Sequence, residues 1–275
     1  MMNNKWWMIV HPLLCYNFFG GVLMFDTHLH LVNEGYDDID KVIQEAIDSG
    51  VLYLILGGCS KDDNISNVEL CKKYDNLFMT VGYHPSEVNK LNNSDFLLLE
   101  EQICNNKNKI IGIGEIGLDY HYGKDDKKLQ IEAFKKQISI AKKYNLPVVI
   151  HTRDAMQDTY NILKDSGVIG VIHCFSGSEE MANKFIKLGF YLGIGGVVTF
   201  SNSKLAEVVK NIDLSHIILE TDSPYLSPFR GKRNEPKNIK VIAEKIALIK
   251  GVGVNDVAQI TSNNVIRLFD LDVEI

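Results

Sequence analysis

From Met24 onward the chain alternates short apolar runs with helical patterns, and this alternation limits the fold more than any other feature of the sequence. Eight runs stand out: Met24–His30, Val51–Leu56, Phe78–Gly82, Ile110–Glu115, Pro147–His151, Val168–His173, Tyr191–Gly195 and Ile217–Glu220. They are nearly continuous in Val, Ile and Leu, as parallel strands buried on both faces require. Helical stretches lie between them. From Asp37 to Ser49, residues Ile39, Val42, Ile43, Ala46 and Ile47 make one apolar stripe that stops at Gly50. Ser178 is placed to cap a helix whose first turn holds Glu179 and Glu180, with Gly189 beyond its end. Lys127 to Tyr144 is the longest helical pattern and ends ahead of Pro147.

Two architectures alternate strand and helix in this way, a (β/α)8 TIM-type barrel and a doubly wound open sheet. The ionisable residues decide between them. An open sheet gathers its ligands at one switch point, whereas all eight strands of a barrel end on a single rim. Here polar side chains close strand after strand: His28 and His30, His84, Glu115, His151, His173 and Asp222. The expectation is one α/β domain, a (β/α)8 barrel over residues 24–275. Barrels of this kind commonly run to about 250 residues as one unit. No internal repeat, low-complexity tract or linker interrupts it.

Residues 1–23 do not fit the pattern. They read MMNNKWWMIVHPLLCYNFFGGVL, with Lys5 their one charge. A signal peptide or membrane anchor is the alternative to a simple extension outside the fold. His11, Pro12 and Asn17 break the apolar run, and no small-x-small cleavage site precedes Met24. A full span needs about 20 predominantly apolar residues, so an extension is expected, with no membrane association. The five cysteines, Cys15, Cys59, Cys71, Cys104 and Cys174, are scattered without a Cys-x-x-Cys pair. That argues against a disulfide framework or a zinc knuckle and for a reducing compartment. They read as small buried hydrophobes.

Two imidazoles at i and i+2 of the first strand, His28 and His30, share one face and point into the barrel mouth. A lone histidine is ordinarily a satisfied core residue, but two together behind Asp26 point to metal ligation. His151 and His173 each end a Val/Ile-rich run; either alone could be a buried neutral histidine with a hydrogen-bond partner, but their equivalent location on consecutive strands makes them a candidate second ligand pair. Glu115 sits in the apolar, glycine-rich Gly112–Gly117 stretch. A buried carboxylate is costly unless it is paired or holds a metal. Asp222 follows the eighth run and precedes Ser223-Pro224, and Glu220 shares its face if the strand continues. Four histidines and two carboxylates suffice for two divalent metal ions with positions left for water and substrate.

Around this set, His84 is expected to contact substrate or a phosphate. Arg153, sharing the face of His151 if that strand persists, carries a planar fork suited to phosphate oxygens. Asp119 and Tyr120 fall in a loop behind Glu115. Cys174, adjacent to His173, should point to the opposite face. The chain as a whole carries a formal charge of −6, which excludes binding nucleic acid by global charge. Yet residues 228–240 (PFRGKRNEPKNIK) set Arg230, Lys232, Arg233, Lys237 and Lys240 against a single Glu235. Barrel topology puts this loop beside the active mouth, where a basic rim would attract a polyanion.

Taken jointly, Phe25-Asp26-Thr27-His28-Leu29-His30, Gly82-Tyr83-His84-Pro85, Gly114-Glu115-Ile116-Gly117-Leu118-Asp119-Tyr120, His151-Thr152-Arg153-Asp154-Ala155, His173-Cys174-Phe175-Ser176-Gly177 and Glu220-Thr221-Asp222-Ser223-Pro224-Tyr225-Leu226 resemble the TatD family of metal-dependent deoxyribonucleases, in the amidohydrolase-like barrel superfamily. Arg230-Gly231-Lys232-Arg233-Asn234-Glu235-Pro236 and Asn264-Val265-Ile266-Arg267-Leu268-Phe269 match as well, so the resemblance covers Met24 to about Phe269. It implies that His28, His30 and Asp222 hold one divalent metal (Zn, Mn, Mg or similar) and His151 and His173 a second, with Glu115 bridging or serving the first. It implies a cytoplasmic enzyme with 3′→5′ exodeoxyribonuclease action on single-stranded DNA. A metal-activated hydroxide would attack phosphorus, with Asp222 as proton acceptor and His84 or Arg153 assisting. The alternative is an ester or amide hydrolase such as a D-aminoacyl-tRNA deacylase, with tRNA as its partner. A monomer is expected in either case.

Overall fold

The computed structural model describes residues 23–32, 35–121 and 126–273. The extension expected over residues 1–22 lies outside the described residues. Leu23, the last residue assigned to it, is buried, and its carbonyl accepts from the Ser262 hydroxyl at 3.1 Å.

Eight strands form one parallel sheet in sequence order: β1 (Met24–Leu29), β2 (Val51–Leu56), β3 (Leu77–Val81), β4 (Ile110–Asp119), β5 (Val148–Arg153), β6 (Gly170–Ile172), β7 (Phe190–Ile194) and β8 (Ile217–Leu219). The ring closes between β8 and β1 through a bridge from Leu29 to Ser223. Two backbone bonds tighten that seam, His30 N to Ser223 O at 2.7 Å and Asp222 N to His28 O at 2.9 Å. Buried Asp26 pins it further, accepting from Thr221 N at 2.8 Å and Thr221 Oγ1 at 2.5 Å. This is the (β/α)8 barrel, in a single domain.

The helices of the outer layer are α1 (Ile39–Asp48), α2 (Lys61–Cys71), α3 (Asn93–Asn105), α4 (Lys127–Tyr144), α5 (Met156–Leu163), α6 (Glu179–Lys187), α7 (Leu205–Asn211), α8 (Ile239–Lys250) and α9 (Val254–Phe269). Their ends follow local chemistry. Asp38 caps α1 by accepting from Lys41 N, and Ser178 caps α6 by accepting from Met181 N. α4 stops where Asn145 turns left-handed, two residues ahead of Pro147.

Phe25, Leu52, Phe78, Ile111, Val149, Val171, Tyr191 and Ile218, the second residue of each strand, pack in one cluster with Val265, Leu268 and Phe269 of α9. This cluster lies at the strands' N-terminal ends, and α9 packs across it. The opposite rim, where the strands end, is left for polar side chains.

Candidate metal centre

The strands end differently from the sequence expectation, and the differences aim the side chains. β4 does not stop at Glu115 but runs on to Asp119. Its pairing with β5 slips between Ile113 and Ile116, where three residues of β4 span two of β5. Such a bulge re-aims the residues within it, and Glu115 sits inside. Gly114 makes the bulge possible, because a Cβ there would lie 2.5 Å from Val149 Cβ. β8 stops at Leu219, so Glu220 and Asp222 do not continue a strand face; Asp222 has φ of +56°. They meet His173 from opposite edges of its ring.

Six side chains from five strand ends converge on this rim. His28 Nε2 lies 3.2 Å from His30 Nε2 and 3.3 Å from Glu115 Oε2. Asp222 Oδ1 is 3.6 Å from His30 Nε2 and 4.0 Å from His28 Nε2. The other carboxylate oxygen, Glu115 Oε1, is 2.6 Å from His151 Nδ1, 3.7 Å from His173 Nε2 and 3.9 Å from His84 Nε2. Glu115 thus turns one oxygen to the His28–His30–Asp222 set and the other to the far histidines.

His28, His30 and Asp222 bring ligand atoms within 4.8 Å of one another, as do His28, Glu115 and His173, and His84, Glu115 and His151. Each trio could hold a cation. The expected pairing of His151 with His173 is looser, their ring centroids standing 6.4 Å apart. His84, expected at the substrate, is the nearer neighbour of His151, with ring centroids 4.4 Å apart. His151 turns its Nε2 to Asp119 Oδ2 at 3.2 Å, and Asp119, expected in a loop, is the last residue of β4, paired with Arg153.

The electrostatics are those of a cluster held together by protons. Burial drives Glu115 toward its neutral form, but His173, His151 and His28 outweigh it and keep the carboxyl well below the usual range. Burial likewise opposes charge on His151 and His173. Asp119 and Glu115 nevertheless raise His151 to about 9, and Glu220, Glu115 and Asp222 raise His173 to about 10. His84 goes the other way, down to about 4, mainly through burial. A divalent cation at these atoms would take the place of the imidazolium protons. The donor set fits such an ion: imidazoles and carboxylates with their lone-pair atoms facing one another, in the mixture that suits Zn, Mn, Fe or Co.

Two cysteines join the cluster, which the reading of cysteines as inert hydrophobes did not anticipate. Cys59 Sγ approaches Glu115 Oε2 at 3.4 Å and His30 Nδ1 at 3.9 Å. Its location three residues past β2, level with the other strand ends, was the available signal. Cys174 was excluded on strand alternation, but β6 stops at Ile172 and Cys174 has φ of +45°, so alternation no longer applies. Its Sγ lies 3.6 Å from Asp222 Oδ2. The described cysteines are all free thiols.

The rim opens into a cleft of about 1400 Å³, lined by His84, Arg153, Lys61, Lys90 and Tyr225 beside the cluster. β5 persists to Arg153, as the sequence expectation required. Arg230, Lys232 and Arg233 are exposed but do not line this cleft. Arg233 is held elsewhere: its guanidinium donates to Gly35 O at 2.8 Å and covers the Tyr36 ring at 3.9 Å. Lys237 is paired with Glu45 and Glu235. The basic loop therefore spends part of its charge on the barrel's own surface.

The family model described as TatD related DNase matches residues 25–270, nearly all of the chain. The chain belongs to this family. Among its relatives, YabD of Bacillus subtilis, named an uncharacterized metal-dependent hydrolase, is 41% identical over 257 residues, covering 91% of this chain and all of YabD. The human protein named deoxyribonuclease TATDN3 is 32% identical over 262 residues, covering 90% of this chain and 95% of its own. The crystal structure of YJJV, a TatD homologue from Escherichia coli K12, superposes with a TM-score of 0.85 at 28% identity, over 90% of this chain and 98% of that one. An organophosphorus hydrolase from Deinococcus radiodurans shares the barrel, with a TM-score of 0.65 at 12% identity over 90% of this chain and 92% of its own. The TatD chain described here is accordingly a metal-dependent hydrolase. Among its described residues, no helix is long and apolar enough to cross a membrane.

Proposed function

We propose that this chain is a deoxyribonuclease that hydrolyses phosphodiester bonds of single-stranded DNA from the 3′ end. His28, His30 and Asp222 would hold one divalent cation, His151 and His173 a second, with Glu115 between them and His84 beside the second. The observation that carries the reading is the convergence of four histidines on Glu115's two oxygens, with Asp222 reaching three of the four. A binding surface for polyanions needs no such set.

Bound cations would supply a water of lowered pKa and neutralise charge at the phosphoryl oxygens. The protein's own groups do the rest. Asp222 faces the cluster through Oδ1, with Cys174 Sγ 3.6 Å from its second oxygen, a position from which it accepts the proton of the attacking water. Arg153, at the cleft wall, offers a bidentate donor to a phosphate. Tyr225, about half exposed and 6.2 Å from the His30 ring centroid, presents a face for stacking an unpaired base. Bases inside a duplex are already stacked on both faces and reach such a side chain only by unstacking, which favours a single strand. The thiols of the described residues, scattered and unpaired, favour a reducing compartment such as the cytoplasm.

The test is a time course on oligonucleotides labelled at the 5′ or the 3′ end, single- and double-stranded, with and without EDTA. Aminoacyl-tRNA is the competing substrate. The reading requires EDTA-sensitive, stepwise shortening of the 5′-labelled single strand. Deacylation of the tRNA with intact DNA would replace it with the ester-hydrolase reading.

A further inference from the structure

His173 is gripped by acids on both ring edges. Its Nε2 faces the cluster, 3.7 Å from Glu115 Oε1 and 3.8 Å from Asp222 Oδ1. Its Nδ1 faces away, 3.2 Å from Glu220 Oε1. That second contact falls short of a linear hydrogen bond, and no other acceptor among the described residues reaches Nδ1.

Glu220 is unusual on its own account. It is fully buried, and its Oε1 also accepts from Cys174 N at 2.5 Å, which fixes the acid to the backbone just past β6. Its Oε2 has no hydrogen-bond partner. A buried carboxylate oxygen without a partner is costly. Buried Asp26 makes the contrast: Thr221 N, Thr221 Oγ1 and His28 N all donate to it. Asp26 closes the barrel with both oxygens supplied, whereas Glu220 keeps one buried oxygen without a donor. The room for Glu220 is also specific, since a Cβ at Gly193 would lie 2.3 Å from Oε2 and 2.7 Å from Cδ.

We infer that Glu220 is the positioning residue for His173, holding its proton on Nδ1 so that Nε2 presents a lone pair to the cation, and that Gly193 admits it. A neutral imidazole carries one N–H, and the partner of one nitrogen decides which role falls to the other. An acid behind a ligating histidine also raises its basicity, and loss of such a partner typically weakens metal binding about 10- to 100-fold. Glu220 touches neither substrate nor cation in this scheme. The inference rests on the proposed metal centre and extends it to a residue outside the ligand set.

The test is cobalt and zinc titration of the full chain, read by Co(II) absorption and chelator competition, in the parent and three variants. Glu220→Leu removes the acceptor and Glu220→Gln keeps an oxygen for Nδ1–H. Gly193→Ala drives the acid out without altering it. The expected result is an affinity loss of about 10- to 100-fold in one of the bound ions for Glu220→Leu and Gly193→Ala, with a changed Co(II) spectrum. Glu220→Gln should retain most of the affinity and the parental spectrum. A merely structural role would lower the melting temperature of all three metal-stripped variants while leaving the Co(II) spectrum as in the parent, and that result overturns the inference. Unchanged affinity in Gly193→Ala and Glu220→Leu overturns it as well. Failure of the parent to take up any ion would instead bring down the metal centre, and this inference with it.

Discussion

Replacing Glu115 by Gln should strip the centre of most of its metal affinity while leaving the side chain's shape intact. Glu115 oxygens lie 3.3 Å from His28 Nε2, 3.9 Å from His30 Nε2 and 3.7 Å from His173 Nε2, so a cation shared among these atoms sits close to the carboxylate. A carboxylate and a divalent cation about 4 Å apart interact by about 8 kcal/mol at an effective dielectric near 20, twice the figure for two unit charges. Part of this is recovered, because the amide oxygen still coordinates and the neighbouring imidazoles shed protons more readily. A net loss of about 3 kcal/mol corresponds to about 100-fold in dissociation constant. Thermal melting reads this directly. At a cation concentration of about 100 dissociation constants, binding stabilises the parent by about 2.7 kcal/mol, or about 5–10 °C for a barrel of this size. At the same concentration the variant would gain only about 0.4 kcal/mol, roughly 1 °C. A variant whose melting temperature rises with metal as much as the parent's would refute the bridging geometry assigned to Glu115.

Asp222→Ala should lower turnover on single-stranded DNA by about 10²- to 10⁴-fold, the usual worth of a positioned general base, measured at saturating metal. Metal uptake should release protons at pH 7, because His151 and His173 are raised to about 9 and 10 and must deprotonate to ligate. Potentiometric titration checks this, and affinity should fall as pH is lowered from 9 to 6. The same two groups contribute to the stability of the metal-stripped protein fully below pH 6.5, and lose that contribution as pH rises through about 9 to 10. Melting of the stripped protein against pH tests the sign. Ile218→Ala, in the layer at the barrel's other end, should cost about 2–5 kcal/mol of stability while leaving the metal dissociation constant unchanged, as melting and chelator competition together would show.

The barrel was legible because its signal is repeated. Eight apolar runs and their punctuation gave the strand order, and α4 begins and ends where its pattern does, at Lys127 and Tyr144. The cluster was legible where the i, i+2 spacing still served, as at His28 and His30, although β1 slips its register between Asp26 and Leu29 and ends at Leu29. It failed at strand ends, where the backbone leaves the pleat. Cys174 turns inward through a left-handed residue, and the bulge at Gly114 carries β4 on past Glu115 to Asp119. Alternation has no means of registering either. The basic loop shows a different limit: charge counted along the chain does not reveal that Arg233 is spent on Gly35 and Tyr36. Partners far apart in sequence are what convert a charge run into a site or into an ordinary surface.

The most direct test is the metal content of the purified chain, measured by elemental analysis after dialysis against a chosen divalent ion, beside His28→Ala and His151→Ala. About two ions per chain in the parent, and a reduced content in each variant, is the outcome expected of a cluster arranged around both oxygens of Glu115. A parent chain that retains no ion, or variants that load as fully as the parent, would contradict it.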